Sequence, residues 1–140
     1  MPEPRLGRSA TFCGECGASF ADREPGIEIV RFEHTTAYEP GGHSRVINRL
    51  LAGRHRGGVD AVSVWHGTLS PDGGSDLHVH EGSVQIYVVV TGVLDVSTGG
   101  ESVVLQPGDT AIIPAGETHD IRNRSQDEAT LLVISAPALR

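Results

Sequence analysis

The chain has 140 residues, enough for one domain with a buried core and too few for two comfortable ones. Eighteen acidic against eleven basic residues give a formal charge of -7, and the basic residues form no stripe that could track phosphates, so nucleic acid is not an expected partner. Eighteen glycines and eight prolines beside only 4% aromatic residues favour short strands and tight turns over long helices, which makes the chain all-β.

Residues 1–26 are polar, rich in Gly and Pro and without sustained periodicity, and read as a short N-terminal arm ahead of a domain over 27–140. The start, Met1-Pro2-Glu3-Pro4-Arg5, lacks the apolar stretch of a signal peptide, and later apolar runs reach only five or six residues. A soluble, cytoplasmic protein with no membrane partner is the expectation. The arm carries Cys13-Gly14-Glu15-Cys16-Gly17, in which two thiolates around a tight turn could face one tetrahedral ion. A structural zinc at Cys13 and Cys16 would need His34, His43 or His55, or the same knuckle from a second subunit, to complete it. A redox pair and an inert arm are the alternatives.

Strand-sized apolar segments follow at 27–32, 45–51, 61–69, 85–90, 94–97, 102–105, 110–113, 120–123 and 130–135. Turn signals separate them, among them Pro40-Gly41-Gly42, Gly57-Gly58, Pro71-Asp72-Gly73-Gly74, Gly99-Gly100 and Pro107-Gly108-Asp109. Residues 50–55 are the one place where a short helix would fit. Such regular spacing predicts a sandwich or barrel. The run Ile86-Tyr87-Val88-Val89-Val90 is apolar on both faces, so its outer face needs a cover. A homodimer, in which a partner's N-terminal strands supply it, is the expectation, and a second sheet of the same chain is the alternative.

His78 and His80 are one residue apart, so on extended chain both imidazoles point to one face and can reach one ion. Glu81-Gly82-Ser83 offers a turn that returns Gln85 to the same inner face, with Tyr87 and Val89 sharing its parity. Further on, Gly108-x5-Pro114-x-Gly116-x2-His119-x3-Asn123 uses glycines and proline to shape turns that deliver one His at the head of a strand. Asp76 and Glu81 have outward parity.

That second spacing resembles the second motif of the cupin superfamily with every marked position filled, and residues 73–92 similarly resemble the first. The resemblance implies a cupin-type double-stranded β-helix, or jelly-roll, barrel holding one divalent metal ion (zinc, nickel, manganese or iron) on His78, His80, Gln85 and His119. Two features depart from the pattern: the opening Gly lies one residue nearer the first His than usual, and Gln85 stands where the family usually has Glu. An amide keeps an oxygen ligand but removes a negative charge, which leaves more charge on the ion and makes it a better Lewis acid. Cupins sharing this ligand set include lyases and isomerases acting on small carbonyl or sugar substrates, and the family also contains single-domain aromatic polyketide cyclases.

The expected function is therefore metal-dependent isomerase, lyase or cyclase chemistry on a small-molecule substrate. An iron-dependent dioxygenase and a small-molecule-binding cupin without turnover are the alternatives. Tyr87 is a candidate proton donor and His66 a candidate general base, with packing and surface roles as their ordinary readings. Trp65 is cavity wall or core, and Arg49 meets an anionic substrate or an exposed partner.

Overall fold

The computed structural model describes residues 26–139, so the knuckle at Cys13 and Cys16 lies outside the described residues. The chain divides into two units after Thr35. In the first, residues 26–31 have no regular structure and Phe32–His34 form one 3-10 turn, closed by the Thr35 N–H and hydroxyl, both donating to the Phe32 carbonyl. The strand expected over 27–32 is thus absent. Its apolar residues carry strand propensity, but a strand persists only where a ladder partner takes up its backbone groups.

The second unit is nine strands: β1 (Ala37–Tyr38), β2 (His43–Ala52), β3 (Ser63–Ser75), β4 (Val84–Thr91), β5 (Leu94–Ser97), β6 (Ser102–Leu105), β7 (Thr110–Ile113), β8 (Asp120–Arg122) and β9 (Ala129–Ala136). They pair antiparallel in the order β6-β5-β8-β3-β9-β4-β7, with β2 on the other edge of β3 and β1 beyond it, a nearly closed barrel of jelly-roll type. The helix considered for residues 50–55 does not form. Strand β2 runs through to Ala52, and Gly53 and Arg56 then exchange backbone hydrogen bonds across a tight turn followed by Gly57 with φ 88°.

Strand β3 is the hub. It pairs with β9 over Ser63–Leu69 and with β8 at Gly74. Between these stretches lies Pro71-Asp72-Gly73-Gly74, expected to separate two strands but found as an irregularity inside one. Val46 pairs with Leu69 and Ser44 with Gly74, so five steps along β3 match two along β2. Such a bulge bends the strand and lets its edge pass from one partner to another. Asp72 reaches φ 70° there, and a Cβ on Gly73 would collide with the Arg45 carbonyl, which is why glycine stands at that point.

One side chain fastens the bend. Asn123 is fully buried, and its Nδ2 donates to the carbonyls of Leu69 at 3.0 Å and Asp127 at 2.8 Å. Its Oδ1 accepts from the Ser125 N–H and hydroxyl. The last marked position of the second motif is thus a structural clamp between the bulge and the 123–127 turn.

The inner faces of the strands supply an aliphatic core of Val46, Leu69, Val89, Leu94, Leu105, Ile113, Ile121, Ala129 and Leu131, joined by Tyr87. Each fully buried leucine contributes roughly 1.5–3 kcal/mol relative to exposure. On the outer face Ile86 lies between Ile112 and Ile134, and Ile112 is 69% exposed. Asn123→Ala removes both carbonyl donors from a closed site, so it should lower unfolding free energy by about 2–4 kcal/mol in urea titration. Ser125→Ala, which leaves those carbonyls satisfied, should cost about 1 kcal/mol or less.

Candidate metal centre

Beyond Ser75 the chain leaves β3 and meets the segment preceding β8. His78 and His119 face each other as an isolated antiparallel pair, the His78 N–H donating to the His119 carbonyl at 3.0 Å and the reverse bond at 2.9 Å. The Gly116 N–H donates to the His80 carbonyl at 2.9 Å. Backbone bonds therefore fix residues 78–80 against the Pro114-to-His119 turn before any side chain is considered.

On this frame the three imidazoles converge. One ligand nitrogen from each of His78, His80 and His119 lies within 4.8 Å of the others, close enough to hold one metal ion. Ring centroids are 4.3 Å apart for His78 and His119, 5.0 Å for His78 and His80, and 5.7 Å for His80 and His119. His78 Nδ1 lies 2.8 Å from the Asp76 carbonyl and His119 Nδ1 lies 2.9 Å from the Glu117 carbonyl. A carbonyl can only accept, so each Nδ1 carries the proton and each Nε2 presents a lone pair. This second-sphere bond is the usual means of fixing a metal-binding imidazole.

Gln85 completes the set from β4. The register pairs it with Ser135 of β9, and its Nε2 donates to the Ser135 hydroxyl at 3.1 Å. Its Oε1 accepts from the Tyr87 hydroxyl at 3.1 Å and stands 2.9 Å from His119 Nε2. With Nδ1 protonated, a neutral His119 has no proton on Nε2, so two lone-pair atoms meet in a buried place. An imidazolium would resolve the conflict, but burial holds the His119 pKa below its ordinary value. Turning the amide over would also resolve it, at the expense of moving the oxygen away from the histidines. A cation held by Gln85 together with His78, His80 and His119 would resolve it with the oxygen where it stands, so the residues present fit a divalent ion.

The remaining candidates fall on both sides of the β3 wall. Tyr87 lines the cavity and is 3% exposed, with its hydroxyl engaged by Gln85 and its pKa raised by burial and by Asp120. It keeps its proton and orients the amide. His66 does not reach the cavity. Trp65 and Leu69 line it, so strand alternation turns His66 to the opposite face, where it pairs with Arg49 across the β2 ladder. Arg49 and the exposed Glu81 are likewise no part of the lining, whereas Asp76, expected to face outward, is exposed but lines the cavity.

One site residue was not foreseen as such. His43, considered only as a completion of the cysteine knuckle, lines the same cavity with its ring centroid 6.1 Å from that of His78. Its Nδ1 lies 2.8 Å from the Gly41 carbonyl, the same arrangement that fixes His78 and His119. The readable signal was this spacing, a histidine two residues after a turn residue, but its placement depends on His43 pairing with Ser75 across two distant strands.

Burial lowers the pKa of His80 as well, with His78, His119 and His43 adding repulsion. An unfolded chain takes up protons on these imidazoles near their ordinary value of 6.5, while the folded metal-free protein resists them. The stability they carry is complete above that pH and is lost as pH falls through the lowered values. The melting temperature of chelator-treated protein should therefore drop as pH is lowered from 7 to 5. His80→Asn/His119→Asn should flatten that dependence; an unchanged slope would place its origin elsewhere.

Comparison with known proteins agrees with this geometry. Residues 65–135 match the model of the cupin domain. An oxalate-binding protein of Thermotoga maritima is 30% identical over 66 residues, covering 47% of this chain and 54% of its own length, so the match spans about half of that relative. The crystal structure of a predicted oxalate decarboxylase from T. maritima superposes with a TM-score of 0.69 at 25% identity, over 79% of this chain and 99% of the other. The polyketide cyclase RemF of Streptomyces resistomycificus shares the fold at a TM-score of 0.69 and 22% identity, over 79% of each chain. With its domain match, barrel order and converging histidines in agreement, the chain belongs to the cupin family.

Proposed function

We propose that this protein is a metal-dependent cupin enzyme of isomerase, lyase or cyclase type acting on a small oxygenated substrate. The observation that carries the reading is the donor set. His78, His80, His119 and Gln85 are four neutral donors, with the Gln85 oxygen aimed at His119 Nε2. A divalent ion held by such a set keeps its full charge and, when bound, polarises a carbonyl or stabilises an enolate.

The chain's own residues do the rest. Ser135 and Tyr87 hold the Gln85 amide from two sides, so its oxygen needs no reorganisation. His43, with its Nδ1 proton given to Gly41, offers Nε2 at the cavity as acceptor for a proton leaving carbon. Leu69, Leu131 and Val133 keep the far wall dry, which strengthens these electrostatic interactions. Neutral donors stabilise oxidised iron poorly, which disfavours the dioxygenase alternative. The second reading is binding without turnover, favoured by the 30% identity to an oxalate-binding protein.

Protein purified without an affinity tag should carry near-stoichiometric zinc, nickel or manganese, and the iron-loaded form should take up no oxygen with a ketone present. The loaded protein should exchange the α-protons of hydroxyacetone with deuterated water, and Gln85→Glu should keep its ion and slow exchange about tenfold, about 1.4 kcal/mol in barrier. Exchange absent from the loaded protein would leave the binding reading. A homodimer is part of the same proposal, with a second copy covering the outer face around Ile86, Ile112 and Ile134. A monomeric mass in light scattering at micromolar concentration would count against it.

A further inference from the structure

The cavity lined by His78, His80 and Gln85 has a volume of about 530 Å³, within the ~300–1,000 Å³ of pockets that hold drug-sized organic ligands. A two-carbon dianion would leave most of it empty. Away from the histidines its wall is mostly apolar, with Val46, Leu69, Leu131 and Val133 beside the rings of Tyr38 and Trp65, and Asn48 and Asp76 are its polar side chains.

Two features of that wall point the same way. First, among the described residues it contains no permanent cation. The chain has no Lys, and no Arg is among the lining residues. Guanidinium groups on the flanking strands are held elsewhere, Arg45 by the Pro71 carbonyl and Arg122 by the carbonyls of Asp72 and Ser75. A carboxylate placed against the far wall would lose its water with no counter-charge in return. Second, the chain's one tryptophan and both tyrosines all line this cavity, while the buried core elsewhere is aliphatic. Flat rings on a dry wall favour a flat apolar ligand through area and offset stacking.

We propose that the cavity selects molecules whose oxygens are confined to the end meeting His78, His80, Gln85 and His119, and whose remaining body is an apolar ring system. The inference rests on the Lewis-acid reading for the oxygenated end only; the ring preference belongs to the wall. It runs against compact dicarboxylates and against sugar acids, which carry charge or hydroxyls along their whole length.

A graded ligand series tests it by calorimetry on zinc-loaded protein, with the emission of Trp65, the single tryptophan, reporting where the ligand sits. Acetylacetone, benzoylacetone and benzoylacetone bearing a para-carboxylate share one chelating end and differ only in the body. Benzoylacetone should bind at least about tenfold tighter than acetylacetone, and the carboxylate should cancel at least that gain. Asn48→Arg, which sets a cation in the wall, should restore binding of the carboxylated ligand by about fivefold or more. No gain from the phenyl ring, or no loss from the carboxylate, overturns the proposal while leaving the Lewis-acid reading in place. Equal binding of benzoylacetone to metal-free and zinc-loaded protein, with the ring preference intact, would overturn that reading and keep this one.

Discussion

The contact on which the site depends is the 2.9 Å approach of Gln85 Oε1 to His119 Nε2, two acceptors brought together in a buried place. Neither atom is free to retreat. His119 is pinned through its own backbone pairing with His78 and through Nδ1 on the Glu117 carbonyl. Gln85 is pinned by Ser135 opposite it on β9 and by Tyr87 two residues along β4. The barrel order serves this contact, because β4 must lie beside β9 and the head of β8 must reach back to residues 78–80 for the four donors to meet.

Much of this was legible in the sequence because its rules are local. Period-two alternation alone puts His78 and His80 on one face and Gln85 with Tyr87 on another strand's inner face. The turn formed by Pro114 and Gly116 likewise announces that His119 heads a strand. What was not legible is pairing between distant strands. His43 enters the site only because β2 runs antiparallel to β3 with His43 opposite Ser75. His66 leaves it because Trp65 and Leu69 take the inner face, and the sequence does not say which parity of an apolar strand turns inward.

The segment at Pro71–Gly74 shows a different limit. Its residue types announce a break, and a break is there, but as a bulge within β3 rather than a loop between strands. The distinction is made by partners, since Asn123, itself far along the chain, donates to Leu69 across the bulge and holds the strand continuous. Turn chemistry identifies where a backbone deviates; only the groups that satisfy its carbonyls decide whether the sheet resumes. The missing strand over 27–32 is the same lesson inverted, with propensity present and no strand pairing among the described residues.

The neutral donors and the cation-free wall belong to one electrostatic design. With a divalent ion bound, ligands that carry no charge would concentrate positive charge at one end of the cavity, and the described wall, which has no guanidinium group, would add none at the other. The field along the cavity would then be steep, and negative charge developing on a bound molecule would be stabilised where it lies near the four donors. A carboxylate in place of Gln85 would flatten that gradient from one end, and an arginine in the wall would flatten it from the other. Chemistry that pushes electrons toward a single oxygen, with the rest of the molecule staying apolar, is what such a gradient favours.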